Sequence, residues 1–546
     1  MRRSILPALL FGATALGVHA GEVIDIFTIG DSTMATKNLK KQNPERGWGH
    51  VLPGFFSEDV RIHNHAVNGR STKTFLSEGR WQNVLDSLQP GDYVFIQFGH
   101  NDASNKGERA TVAGGDFDDN LRRYIRESRE KGAIPVLFTP IARRKFDHGT
   151  LVDTHGKYVD CVRNVAREQG VICIDHNAVT SDWLRALGDD PSKPYFMHIP
   201  EGVNPLHPDG RKDNTHLNVR GARVVAAMAV DSIEAKIPAL APFVRRYDMV
   251  VAKDGSGDFF TLQEAVDAAP DYCNKPTDIL IRPGVYEARV NIPPSKTHLR
   301  LIGQGNPELR YANTASTPNW IGEGYGTPGS ASVFIYPDDF YAEGITFSNP
   351  AGLTAGQAVA CLTAGDRMFF KNCTFTGFQD TLYAYGLGRQ YYEDCLIEGS
   401  VDFIFGPATA LFNRCEIRNR REKGYITAPS TPQDKKYGFV FYNCRLTADE
   451  GCDRNWLSRP WRPYGHTAYI NCEMGGHIRR EGWHNWRKPE NEKTARYYEY
   501  GNRGAGANVA GRVLWCHILD SPEGYSFAEI LDGWIPDGAD FQEIKN

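Results

Sequence analysis

A chain of 546 residues exceeds what one ordinary hydrophobic core organises, so two or more domains are expected. With 41% hydrophobic and 23% charged residues and no long biased tract, the composition excludes a disordered or fibrous chain. A net charge of −4 supplies neither the basic field that nucleic acid draws on nor attraction to an anionic membrane, so neither partner is expected.

Met1-Arg2-Arg3 is a short basic start, Ile5 to Val18 is apolar, and Val18-His19-Ala20 fits a small-residue cleavage site. Residues 1–20 therefore read as a signal peptide, with the mature chain secreted to the periplasm or the medium. The apolar stretch is too short to span a bilayer comfortably, and no later segment is apolar enough to do so. The 11 cysteines are few for this length and include no Cys-x-x-Cys pair, so buried free thiols are expected rather than a disulfide or zinc framework.

From residue 21 to 240 buried runs alternate with amphipathic helices. Val23-Ile29, Tyr93-Phe98, Ile134-Phe138 and Val171-Ile174 read as strands. Phe117-Lys131, Gly156-Gln169 and Val219-Lys236 read as helices, with Gly132 and Gly170 at the C-terminal caps. That alternation predicts a mostly parallel sheet covered on both faces. A Pro/Ala-rich run leads into a linker at 241–247.

From residue 248 to 546 the pattern changes. One helix, Thr261-Ala269, is expected, and the rest is short β-branched and aromatic runs between turns. A loose repeat carries Cys373, Cys395, Cys415, Cys444 and Cys472, spaced by 22, 20, 29 and 28 residues. Each Cys and the residue two further on are apolar while their neighbours are mostly polar, which is strand alternation with the Cys side facing a core. One such strand per 20 to 30 residues predicts a solenoid, a right-handed parallel β-helix with an internal cysteine ladder.

Gly30-Asp31-Ser32-Thr33 follows the first strand and places a serine where open α/β sheets bind ligands. Ala66-Val67-Asn68-Gly69-Arg70-Ser71, Gly99-His100-Asn101-Asp102 and Asp213-Asn214-Thr215-His216 follow in order. Together they supply a nucleophile, a base, a carboxylate to orient it and oxyanion donors. These blocks resemble the SGNH (GDSL-type) hydrolase superfamily; with Leu151-Val152-Asp153-Thr154-His155-Gly156-Lys157-Tyr158 the match looks like rhamnogalacturonan acetylesterase. The resemblance implies a flavodoxin-like three-layer domain with Ser32 as nucleophile, His216 as base and Asp213 orienting it. Ser32 N–H, Gly69 N–H and the Asn101 side chain would hold the oxyanion, while Asp31 and His100 would brace the loops. Arg70, Arg143 and Arg144 are candidates to meet an acidic polysaccharide, or plain solvated cations.

In the second half, Gln357 to Gln379 and Asp380 to Asp402 are each 22 residues apart, as Cys373 is from Cys395. If one coil takes that length, equivalent positions stack about 4.8 Å apart, bringing two glutamines and two aspartates onto one face. Two close carboxylates do not both ionise easily, so one retains a proton and the other needs a cation, with Arg459 the candidate. The blocks Gly284-Val285-Tyr286-Glu287, Gln357-Ala358-Val359-Ala360, Gly377-Phe378-Gln379-Asp380-Thr381-Leu382-Tyr383, Asp402-Phe403-Ile404-Phe405-Gly406 and Ser458-Arg459-Pro460-Trp461 resemble pectin methylesterase. The resemblance implies that Asp402 attacks the methyl ester, Asp380 serves as acid and then base, Gln357 and Gln379 hold the oxyanion, and Arg459 orients Asp402. Tyr383 and Trp461 would pack on galacturonate rings. Ser458 stands where that family usually has glycine, and the stretch Asn306-Ser330 departs from its usual length.

The expectation is a monomeric, bifunctional esterase acting on pectic polysaccharide, homogalacturonan and rhamnogalacturonan, with no cofactor and no metal. Two alternatives remain open: a β-helix of the pectate lyase kind, or one half reduced to a polysaccharide-binding module.

Overall fold

The computed structural model describes residues 23–104 and 107–540. The signal-peptide reading at 1–20 lies outside the described residues. The chain divides into two compact units between Arg246 and Tyr247.

In the first unit, β1 (Ile24–Gly30), β2 (Val60–Asn64), β3 (Tyr93–Gln97), β4 (Ile134–Phe138) and β5 (Ile172–Ile174) form one sheet. It is parallel throughout, in the order β2-β1-β3-β4-β5. Alternation along each strand divides the apolar residues between two cores. Ile24, Ile26, Tyr93, Phe95, Val136 and Phe138 pack with the helix Val219–Lys236 on one face. Phe27, Ile29, Val94, Ile96 and Leu137 pack with the helices Asp116–Glu130 and Lys157–Gln169 on the other. The result is the expected three-layer α/β unit. Gly170 caps the second of these helices in the left-handed region (φ +59°), a conformation glycine adopts without strain.

Three features go beyond the sequence reading. Strand β2 is an edge strand whose Arg61, His63 and Asn64 hide its pattern. Helix His176–Leu187 is capped by the Asp175 side chain. The segment before the last helix is a strand, Arg211–Asn218, paired antiparallel with Phe196–Ile199 and with Glu45–Arg46. The stretch expected as a linker begins with a short 3-10 turn, Ala241–Phe243, between Leu240 and Val244, both buried in the first core.

The second unit winds three parallel sheets of 11, 8 and 7 strands, each strand pairing with its equivalent one coil later. This is the parallel β-helix that the repeat predicts. The residue before each repeat cysteine (Asn372, Asp394, Arg414, Asn443, Asn471) sits in the left-handed region with φ between +50° and +55°. Asn and Asp tolerate that conformation better than other non-glycine residues, which explains the recurring Asn/Asp-Cys signature. The cysteine then turns inward, and its thiol donates to carbonyls of its own and the preceding coil, as Cys395 does to Glu393 and Phe370. The helix Leu262–Ala268, opened by a Thr261/Glu264 capping box, packs Leu262, Ala265 and Val266 into the β-helix core.

Candidate functional site

In the first unit, β1 ends at Gly30 and the chain turns through Asp31-Ser32-Thr33. The strand order reverses between β1 and β3, and ligands of such sheets sit at that point beyond the carboxyl ends. Asp31 is buried, and its Oδ1 accepts from the Thr33 amide (2.9 Å) and hydroxyl (2.8 Å), fixing the turn. Gln97, the last residue of β3, donates to the Thr33 hydroxyl and accepts from the Trp48 indole.

Ser32 Oγ lies 2.9 Å from His216 Nε2, and His216 Nδ1 lies 2.8 Å from Asp213 Oδ2. Strand Arg211–Asn218 brings Asp213 and His216 to the end of β1, 184 residues from Ser32 in sequence. Burial raises the Asp213 carboxyl, but bonds from the His216 ring and amide outweigh it and hold Asp213 well below the carboxylate range. Gly69 lies in a turn at φ +75°, tied to the serine turn by the Val67 N–H to Gly30 O bond. The Asn101 amide donates to Arg70 O (3.0 Å), joining the Gly69 and Asn101 loops. His100 is buried against His155, with ring nitrogens 3.1 Å apart. Of the three arginines, Arg144 is buried and holds Asn214, Ser192 and Asp189, so it braces the fold instead of facing a polymer. Arg143 donates to His100 O, and Arg70 pairs with Glu78.

In the second unit, Leu382 pairs with Ile404 and Tyr383 with Phe405, so Asp380 and Asp402 occupy equivalent places on neighbouring coils. Gln357 and Gln379 form a parallel bridge one coil earlier, and Asp380 N–H donates to Val401 O. Both aspartates are buried at positive φ (+66° and +50°), a strained conformation that neighbouring coils must enforce. Arg459 grips Asp402 with two bonds, Nε to Oδ1 at 2.7 Å and an Nη to Oδ2 at 2.6 Å. Its guanidinium is itself sandwiched between the rings of Tyr425 (3.8 Å) and Trp486 (3.9 Å). Burial raises the Asp402 carboxyl and Arg459 opposes that rise. Burial and then the Asp402 charge push Asp380 well above the carboxylate range, with Arg459 opposing.

Tyr383 stacks on Phe405 at 4.0 Å, with Trp461 edge-on to both, in an aromatic cluster that also includes Trp486. Ser458 turns its hydroxyl inward to Tyr497 and the Thr427 carbonyl, leaving the Arg459 backbone in strand register. The stretch 306–330 includes a hairpin held beside Gln357 by the Ala315 N–H to Gln357 O bond (2.8 Å), with Trp320 exposed at its tip. Sequence reasoning missed Tyr425 and Trp486, since nothing in their spacing marks them as partners of Arg459. It also missed Lys37, Glu45 and Arg211 around Ser32. Among the described residues no group of three or more His, Cys, Asp or Glu is placed to hold a metal ion.

The pectinesterase family model matches residues 248–529. The chain belongs to the pectinesterase family. The model for the GDSL-like lipase/acylhydrolase family matches residues 28–224, so this pectinesterase carries an SGNH hydrolase unit ahead of its β-helix. It is 40% identical to Pectinesterase 31 of Arabidopsis thaliana over 284 residues, covering 50% of this chain and 89% of that one. It is 37% identical to a probable pectinesterase/pectinesterase inhibitor of Brassica napus, of which it spans 48%. A solved pectin methylesterase from carrot shares 32% identity at a TM-score of 0.50, covering 53% of this chain and 94% of that one. The two family matches make the chain a carboxylic ester hydrolase.

Proposed function

We propose that this pectinesterase is bifunctional, removing methyl esters from galacturonate with its β-helix and O-acetyl groups from pectic polysaccharide with its first unit. The observation that carries the methylesterase reading is the two-bond grip of Arg459 on Asp402, one coil from Asp380. Arg459 favours a charged Asp402, while Asp380, raised by burial and by its neighbour's charge, keeps its proton. Asp402 attacks the ester carbonyl carbon, and the Gln357 and Gln379 amides stabilise the oxyanion. The tetrahedral intermediate collapses to an acyl-enzyme as Asp380 protonates the departing methanol. Asp380 then takes a proton from water, which attacks the acyl carbon and frees Asp402.

In the first unit the Ser32–His216–Asp213 chain of hydrogen bonds supports acyl transfer of the serine type. His216 takes the Ser32 proton as Oγ attacks the acetyl carbonyl and returns it to the leaving sugar hydroxyl. Water then hydrolyses the acetyl-enzyme. Ser32 N–H, Gly69 N–H and the Asn101 side chain are the oxyanion donors of this reading. A secreted protein acting on homogalacturonan and rhamnogalacturonan fits both halves.

The test is product analysis on methylated, acetylated pectin with a strong chelator present throughout. Methanol and acetate should both appear, without unsaturated uronate ends. Unsaturated ends that form only when calcium is restored would replace the methylesterase reading with a lyase.

A further inference from the structure

Lys37 is almost wholly buried, yet its ammonium makes three polar contacts. It donates to Ser32 O (2.6 Å) and to Asn68 Oδ1 (2.6 Å), and it pairs with Glu45 Oε1 (2.8 Å). Glu45 Oε2 in turn meets Arg211 (2.9 Å), and Arg211 meets Asp213 Oδ2 (2.6 Å). With the Asp213–His216 and His216–Ser32 bonds, these links close a ring from the Ser32 carbonyl back to the Ser32 hydroxyl. A buried lysine is expensive to desolvate, and an apolar residue of similar volume would stabilise the fold as well or better. What the lysine adds is geometric. It clamps Ser32 to Asn68, the residue before Gly69, and so holds together the two turns whose amides face a developing oxyanion.

We propose that Lys37 and Glu45 are positioning residues of the acetylesterase site, fixing the oxyanion turns and setting the protonation of His216. This rests on the Ser32–His216–Asp213 reading above. Charged and titratable groups around His216 are Asp213 and Arg211 on its own strand, Glu45 on the paired strand, Asp31 and Lys37 around the serine turn, and His100 after β3. Within that set Lys37 and Glu45 act with opposite sign. A positive Lys37 disfavours imidazolium, and a negative Glu45 favours it. His216 must be neutral to accept the serine proton, so activity is lost as pH falls through its pKa. Removing Lys37 should therefore move the acidic limb of kcat/KM to higher pH, and removing Glu45 should move it to lower pH.

The experiment measures pH profiles of 4-nitrophenyl acetate hydrolysis by the full chain carrying Lys37→Met, Glu45→Gln or both. Lys37→Met should lower kcat roughly tenfold or more with little change in KM, because the oxyanion donors lose their clamp. The acidic limb should rise by roughly 0.5–1 pH unit in Lys37→Met and fall by a similar amount in Glu45→Gln. The double variant should return the limb towards wild type while kcat stays low. If Lys37→Met fails to fold, the downward shift in Glu45→Gln decides alone. Limbs that coincide with wild type, or move in the same direction, overturn the proposal. Ser32→Ala run alongside separates the two levels: hydrolysis that survives it defeats the serine reading itself.

Discussion

Asp402 and Asp380 are the same side chain in neighbouring coils, and their roles diverge because only one of them has a cation. Arg459 is held flat between Tyr425 and Trp486, so its fork meets the Asp402 carboxylate in one orientation. Burial raises Asp402 and Arg459 opposes it, so removing Arg459 must raise it further. Asp402 has to be charged to attack, and activity is lost as pH falls through its pKa. Arg459→Met should thus shift the acidic limb of methanol release to higher pH and lower kcat by roughly 10²-fold or more. Arg459→Lys keeps the charge but not the fork and should fall between the two. An acidic limb unmoved in Arg459→Met would remove Arg459 from the mechanism. Of these residues, Asp380, Asp402 and Arg459 were legible in the sequence, because a 22-residue interval stacks two of them and a Ser-Arg-Pro-Trp block marks the third. Trp486 was not legible, since its loop shares no register with Arg459. Lys37 reads as a solvated loop cation, and only Glu45 and Asn68, brought in from other segments, bury it.

The β-helix was visible at the scale of its elements because each coil repeats two demands. One is a residue that tolerates the left-handed region, and the next is a small inward side chain, met by Asn443-Cys444 and Asn471-Cys472. Burial pushes the Cys361 thiol well above its ordinary range, which removes its nucleophilic form. Cys161, Cys361, Cys373, Cys395, Cys415, Cys444 and Cys472 are all buried and free. These seven should stay silent to an aromatic disulfide reagent in the native protein and react once it is unfolded. Rapid native labelling of Cys395 or Cys415, located by mass spectrometry, would contradict a closed ladder. Elements that escaped the sequence reading share a different cause. Strand β2 alternates Arg61 and His63 with Val60 and Ile62 at a sheet edge. The strand Arg211–Asn218 is polar along nearly its whole length because it carries Asp213 and His216, so function overwrote its hydrophobic pattern.

Across the whole molecule, each unit has its own core and its own set of side chains for ester chemistry. Acetyl and methyl esters can occur on one pectic chain, and an acetyl group near the scissile methyl ester must fit beside Trp461 and the aromatic cluster around it. A clash or an unpaired buried polar group there costs about 1–3 kcal/mol of transition-state binding, roughly a 5- to 150-fold rate effect. Wild type should therefore release methanol faster than Ser32→Ala from acetylated, methylated pectin, and the two should match on deacetylated pectin. Equal rates on both substrates would mean that the first unit serves another region of the polymer.

The central claim is that one chain holds two separate esterases. The most direct measurement follows acetate and methanol together from one pectin sample treated with wild type, Ser32→Ala or Asp402→Ala, each variant shown to be folded. Ser32→Ala should abolish acetate release and keep methanol release from non-acetylated methylpectin. Asp402→Ala should do the reverse. Loss of both products from either single change would contradict the two-site account.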